Sequence, residues 1–115
     1  MASVSPAPGI GPYNVTKHGV LALSETLLAD LRAAGSSIGV TIAMPGRVAT
    51  GMGLPSGAPV PDFDMSVAEM QSSEEVGEAI LAAVESDSLY LFTHPERPAK
   101  VRQRFQAILG GPIQA

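Results

Sequence analysis

The sequence predicts an α/β protein built on part of a doubly wound parallel sheet, and three observations carry that prediction. Helical stretches with apolar residues at three-to-five-residue spacing alternate with two short apolar runs of strand character. The first run stops abruptly at Pro45-Gly46, so the loop that follows leaves the carboxyl end of a strand, where open α/β sheets bind ligands. A long Gly-, Pro- and Met-rich segment then separates it from the next helix. The predicted order is helix, strand, lid loop, helix, strand, helix, within one domain spanning residues 1–115.

The first helix is predicted from about Pro12 to Ala34. Gly9 and Gly11 mark the loop that enters it, Pro12 suits the first helical position, and Gly35 stops it. Val15, Val20, Leu23, Leu27 and Leu31 are its apolar residues. The run Ile38-Gly39-Val40-Thr41-Ile42-Ala43-Met44 is the first strand, apolar enough to be buried on both faces. Residues 51–61 read as loop, and Met52, Leu54, Val60, Phe63, Met65 and Met70 are scattered through it and the segment beyond. That composition suits an apolar lid over a substrate, with adaptable methionines, and equally a flexible loop whose methionines fill gaps. Its acids, Asp62, Asp64 and Glu69, are read as solvated.

Ser72-x-x-Glu75 has the form of a capping box, opening a helix to about Ser86 with Val76, Ile80, Ala83 and Val84 as its buried stripe. Glu74, Glu75 and Glu78 gather at the positive end of that helix dipole, which is sufficient reason for them. Leu89 to Thr93 is the second strand. His94-Pro95-Glu96 turns into a last helix with Val101, Phe105, Ile108 and Leu109 on one face, closed by Gly110-Gly111-Pro112. Arg97, Lys100, Arg102 and Arg104 on that helix are read as a solvated outer face, and His18 and His94 as structural or exposed.

The chemistry concentrates at two places. Tyr13 and Lys17 are four apart at the start of a helix, so they share a face with Cβ atoms roughly 5–6 Å apart. A phenol with an ordinary pKa of about 10 is a poor acid–base group at neutral pH, and a neighbouring ammonium favours its phenolate form. Such pairs serve general acid–base catalysis, although Y-x-x-x-K alone also occurs as a surface tyrosine beside a solvated lysine. The second place is Pro45-Gly46-Arg47-Val48-Ala49-Thr50, the loop at the carboxyl end of the first strand.

Together, Gly11-Pro12-Tyr13-Asn14-Val15-Thr16-Lys17-His18 and the P-G-x-x-x-T loop resemble the short-chain dehydrogenase/reductase family, over nearly the whole chain. The resemblance implies the C-terminal half of a Rossmann-like doubly wound sheet. It implies Tyr13 as general acid or base at a substrate carbonyl or alcohol, with Lys17 favouring the phenolate and holding the ribose of NAD or NADP. Pro45, Gly46, Val48 and Thr50 would contact the nicotinamide end of that cofactor, Val48 through its backbone. Met52 and Leu54 would belong to the substrate lid.

The family's catalytic serine would fall at or just before Met1; Ser3 and Ser5 are the available hydroxyls, and both lie too close to Tyr13 to replace it. Nor do the 115 residues contain a glycine-rich turn between a strand and a helix, the usual cradle for a pyrophosphate. In Gly9-Ile10-Gly11-Pro12 no strand precedes, and the proline removes a needed N–H. The N-terminal dinucleotide-binding half is therefore expected to be absent and the chain to be inactive alone. Two strands and three helices would also leave an unpaired apolar sheet edge. The alternative is a non-catalytic interaction module acting through the first helix, whose apolar residues extend beyond one stripe.

Composition narrows the remaining classes. A formal net charge of -4 argues against nucleic acid as a partner, which would call for a basic face. No apolar stretch approaches the roughly 20 residues of a membrane span, and no signal-peptide pattern opens the chain. Zero cysteines and two distant histidines argue against disulfides and metal sites. The expected setting is cytoplasmic, with a small-molecule substrate, no nucleic-acid or membrane partner, no metal, and a homo-oligomer in the intact protein.

Overall fold

A computed structural model describes residue 4 and residues 6–52, 55–59, 64 and 70–110. Helix α1 spans Gly11–Ala33, strand β1 Ile42–Met44, β2 Arg47–Val48, β3 Met70–Gln71, helix α2 Ser73–Glu85, β4 Tyr90–Phe92 and α3 Arg97–Ile108. β1 pairs with β4 in parallel, Ile42 opposite Tyr90 and Met44 opposite Phe92. A second parallel pair joins β2 to β3, Arg47 opposite Met70 and Val48 opposite Gln71. The fold is the α/β arrangement of parallel strands and helices that the sequence indicated.

The helix ends obey local rules. α1 carries Pro12 in its first turn and closes in a Schellman motif: Gly35, at φ +70°, donates to Arg32 O, and Ser36 N donates to Leu31 O at 2.9 Å. The capping box of α2 is complete, with Ser72 Oγ accepting from Glu75 N at 3.1 Å and Ser72 N donating to Glu75 Oε2 at 2.8 Å. α2 ends in the same way as α1, but with Asp87 rather than glycine in the left-handed position (φ 51°). The Asp87 carboxylate lies where a side chain on Gly39 would stand, beside Arg32, so a glycine at 39 lets the segment before β1 approach that turn.

Several expectations need correction. The first strand is three residues, not seven, because β4 offers partners only as far as Tyr90; beyond the bond from Ile42 N to Leu89 O, residues 38–41 run outside the ladder. The Pro45 loop is partly strand, since β2 lies within it. On α2, Val76 and Ala83 are buried, but Ile80 and Val84 are exposed. On α3 the apolar residues mostly face solvent: Phe105, Ile108 and Leu109 are exposed, and Val101 alone of the predicted face packs on the core. Arg104 instead points inward, donating to Val4 O at 3.0 Å and to His18 Nε2 at 2.7 Å, so it is not part of a solvated face.

The core is small. Val4, Ile42 and Met44 are buried, with Leu21 of α1, Val101 of α3, Val40, Leu89 and Phe92 packed against them. A cavity of about 250 Å³ remains among Leu21, Met44, Phe92, Val101 and Phe105. α1 leaves a row of apolar side chains exposed. Its inner face carries Asn14, His18, Leu21 and Leu28, while Val15 (72% exposed), Val20, Leu23 (69%) and Leu27 point outward.

Candidate active site

Tyr13 and Lys17 sit in the first two turns of α1, and the Lys17 ammonium lies 5.4 Å from the centre of the Tyr13 ring, within cation–π range. Tyr13 is 40% exposed. The turns that carry the pair are fastened from behind. Asn14, which is buried, donates from Nδ2 to Ala7 O at 3.0 Å and so ties down the entry loop. His18 Nδ1 lies 2.8 Å from Asn14 O, one turn back. Arg104 is a donor only, so His18 Nε2 accepts from it and Nδ1 carries the ring proton towards Asn14 O. Arg104 thereby links α3, α1 and the segment at Val4.

The Pro45–Thr50 loop is built differently. The parallel register that sets Met44 beside Phe92 delivers Pro45-Gly46 and Thr93-His94 from the same ends of β1 and β4. Gly46 N donates to Nδ1 of His94 at 3.2 Å, and Thr93 Oγ1 lies 2.9 Å from the same nitrogen. Further along, β2 pairs with β3, and Ala49 N donates to Gln71 O at 2.9 Å. Gln71 Nε2 in turn donates to Thr93 O at 2.8 Å. Pro45, Gly46, Val48, Ala49 and Thr50 are half-buried and Arg47 is exposed. Thr50 Oγ1 accepts from Met52 N at 3.4 Å, turning the chain outward so that Met52 is 77% exposed. Leu54, Ser3 and Ser5 lie outside the described residues.

The sequence-predicted residues thus fall into two constellations. Tyr13 and Lys17 meet on α1; Pro45, Gly46, Val48 and Thr50 share one loop fixed by β3 and the exit of β4. Sequence reading gave His94 as structural or exposed, of which the structural alternative holds, and did not single out Gln71. His94 is 3% exposed and engaged with Gly46, and Gln71 bridges two loops; the only signal for either was its place beside a strand end. Among the described residues there is no group of acids or histidines fit to hold a metal ion, and no helix is long and apolar enough to cross a membrane.

Comparison with known proteins fits this architecture. The chain is 35% identical over 104 residues to 1-deoxy-11-beta-hydroxypentalenate dehydrogenase of Streptomyces exfoliatus and 34% identical over 108 residues to that of Streptomyces arenae, covering 87% of this chain in each case. It spans about a third of those relatives' length, 34% and 35%. Its fold matches a short-chain dehydrogenase from Novosphingobium aromaticivorans with a TM-score of 0.69 at 26% identity, over 100% of this chain and 36% of that one. It also matches a short-chain dehydrogenase/reductase from Burkholderia phymatum, solved with NAD, with a TM-score of 0.76 at 24% identity, over 99% of this chain and 47% of that one. No family profile matches the sequence. The parallel α/β fold agrees with these likenesses. The chain is similar to one segment of short-chain dehydrogenase/reductases and shares their fold.

Proposed function

We propose that this chain supplies the proton-transfer pair and the nicotinamide-facing loop of an NAD- or NADP-dependent oxidoreductase acting on a carbonyl/alcohol pair. The observation that carries the reading is the Lys17 ammonium 5.4 Å from the Tyr13 ring on an exposed helix start. The residues present fit one end of the cofactor: a phenol, an adjacent cation for ribose hydroxyls, and a half-buried loop with backbone groups at Val48 and Thr50. They do not fit the pyrophosphate end, for which the sequence has no glycine-rich turn. The chain is therefore read as the C-terminal catalytic and substrate half of a Rossmann-type domain, without turnover of its own.

In this reading Tyr13 gives its proton to the substrate oxygen during reduction and takes it back during oxidation. Lys17 stabilises the phenolate left behind and holds the ribose. The nicotinamide cofactor, when bound, supplies or accepts the hydride. Pro45, Gly46, Val48 and Thr50 orient the nicotinamide end, and Met52 and Leu54 belong to the cover over the substrate. The named relatives are dehydrogenases of a hydroxylated compound, which supports an alcohol as the reduced partner.

The test uses reduced nicotinamide mononucleotide, which needs no pyrophosphate cradle. In a titration followed by NMR, millimolar ligand is expected to shift Lys17, Gly46 and Thr50 together, with no turnover. Micromolar binding of NADH or any turnover by the 115-residue chain would overturn its inactivity; absence of shifts at those positions would overturn the site.

A second reading concerns assembly, and the outward Val15, Val20, Leu23 and Leu27 of α1 favour it. A second copy of the chain would cover that stripe, giving a homo-oligomer. Light scattering after size exclusion is expected to give at least twice 11.8 kDa; a monomer across the micromolar range defeats this reading.

A further inference from the structure

We infer that His94 is a positioning residue for the Pro45–Thr50 loop, acting as a lock on Gly46 that fixes where the loop presents its backbone to the cofactor. The inference rests on the reading of that loop as the nicotinamide-facing segment. Sequence analysis read His94 only as structural or exposed.

The lock has a steric and a polar half. A Cβ placed on Gly46 would stand 2.5, 2.6 and 2.7 Å from Cε1, Nδ1 and Nε2 of the His94 ring, so the imidazole occupies the space a side chain at 46 would need. Gly46 has no positive φ. Close approach is therefore its reason for being glycine. The polar half is the Gly46 N–H donated to His94 Nδ1 at 3.2 Å. A backbone amide only donates, so Nδ1 must be the bare nitrogen of the ring, and the Thr93 hydroxyl at 2.9 Å is able to donate to it as well. His94 is 3% exposed, which keeps water from competing for Nδ1.

The far end of the same loop is held by the same framework. Ala49 N donates to Gln71 O, and Gln71 Nε2 donates to Thr93 O, the residue beside His94. Gly46, His94, Thr93, Gln71 and Ala49 therefore close a ring of contacts, with Arg47 and Val48 spanning the gap. A segment fastened at both ends in this way presents its backbone in one geometry, which is the preorganisation a binding loop needs. Of the two fastenings, the one at Ala49 is backbone to backbone and survives substitution. The one at Gly46 depends on a single ring nitrogen.

The experiment separates the lock from its use. In the ¹⁵N-labelled 115-residue chain, a scalar coupling between Gly46 N and His94 Nδ1 is expected, together with slow exchange of the Gly46 amide. His94→Asn places an amide oxygen where Nδ1 stood, and His94→Leu keeps bulk without an acceptor. Losing the acceptor forfeits one hydrogen bond's worth of order, so nicotinamide mononucleotide is expected to bind about tenfold more weakly to His94→Leu and within about threefold of wild type to His94→Asn. Thermal unfolding of both variants is recorded alongside, so that a drop in binding is read only against a folded chain. A missing coupling in the wild type overturns the lock. Equal weakening in Asn and Leu variants overturns the positioning role, because bulk alone would then explain it. An intact coupling with no mononucleotide binding by any form overturns the cofactor reading of the loop, and the positioning role with it.

Discussion

The start of α1 and the Pro45–Thr50 loop are two halves of one proposed site, yet they are held in opposite ways. Tyr13 and Lys17 are brought together by helical geometry alone, four residues apart. Gly46 is held by a ring 48 residues away, and Thr93, which secures the loop's framework, by a side chain 22 residues away. Chemistry that depends on local geometry survives wherever the helix forms. Chemistry presented by the loop exists only when β1, β3 and β4 are assembled.

The largest expected effect attacks the second half. Gly46→Ala drives a methyl group into the His94 ring, an overpacking that costs about 1–3 kcal/mol in a tight site. Urea unfolding is expected to show that loss, while Tyr13 and Lys17 resonances stay in place. The double variant Gly46→Ala/His94→Ala is expected to recover more than about 0.5 kcal/mol relative to additivity, as residues in direct contact do. If Gly46→Ala is neutral, or if its cost is the same without the ring, the loop is not held as described and the contrast with α1 disappears.

This contrast also explains what was legible in the sequence. Pro12, the Gly35 stop and the Ser72–Glu75 capping box are signals written within a few residues, and each element they announce is present. The α/β class and the Tyr13–Lys17 proximity followed from the same local rules. Burial is a long-range property and was read less well. Val15 and Leu23 look like core from spacing, but only the face of α1 around Leu21 meets the small sheet, so they stay outside. The pattern of α3 misled for the same reason, placing Phe105 and Ile108 inward where Arg104 actually crosses to His18. The two-residue strands β2 and β3 carry no periodicity at all, because each exists only through the other. Nothing in Thr93-His94-Pro95 announces that its imidazole will rest on a glycine far upstream.

The smallest expected effect probes a third tie, between α1 and β4, that is long-range but exposed. Tyr90 donates its hydroxyl to Glu25 Oε1 at 2.7 Å across 65 residues. That hydrogen bond to a carboxylate, followed by slight desolvation and the charge of Glu25, pushes the Tyr90 phenol above its ordinary 10.0. A raised value in the folded state means that folding favours the protonated phenol. The stabilisation is therefore complete below the unfolded value, near pH 10, and is lost as pH rises through the higher folded value. Tyr90 is 48% exposed, so solvent screening keeps the contribution below about 1 kcal/mol. The difference in tyrosinate absorbance between wild type and Tyr90→Phe is expected to titrate above 10.0, and to fall back towards it in Glu25→Gln. Titration of Tyr90 at or below the ordinary value would mean that the bond to Glu25 is not kept in solution. In that case, α1 would keep the packing of Leu21 on the core and the Arg104 bridge to α3, and the buried lock at Gly46 would stand as the better secured of the long-range ties.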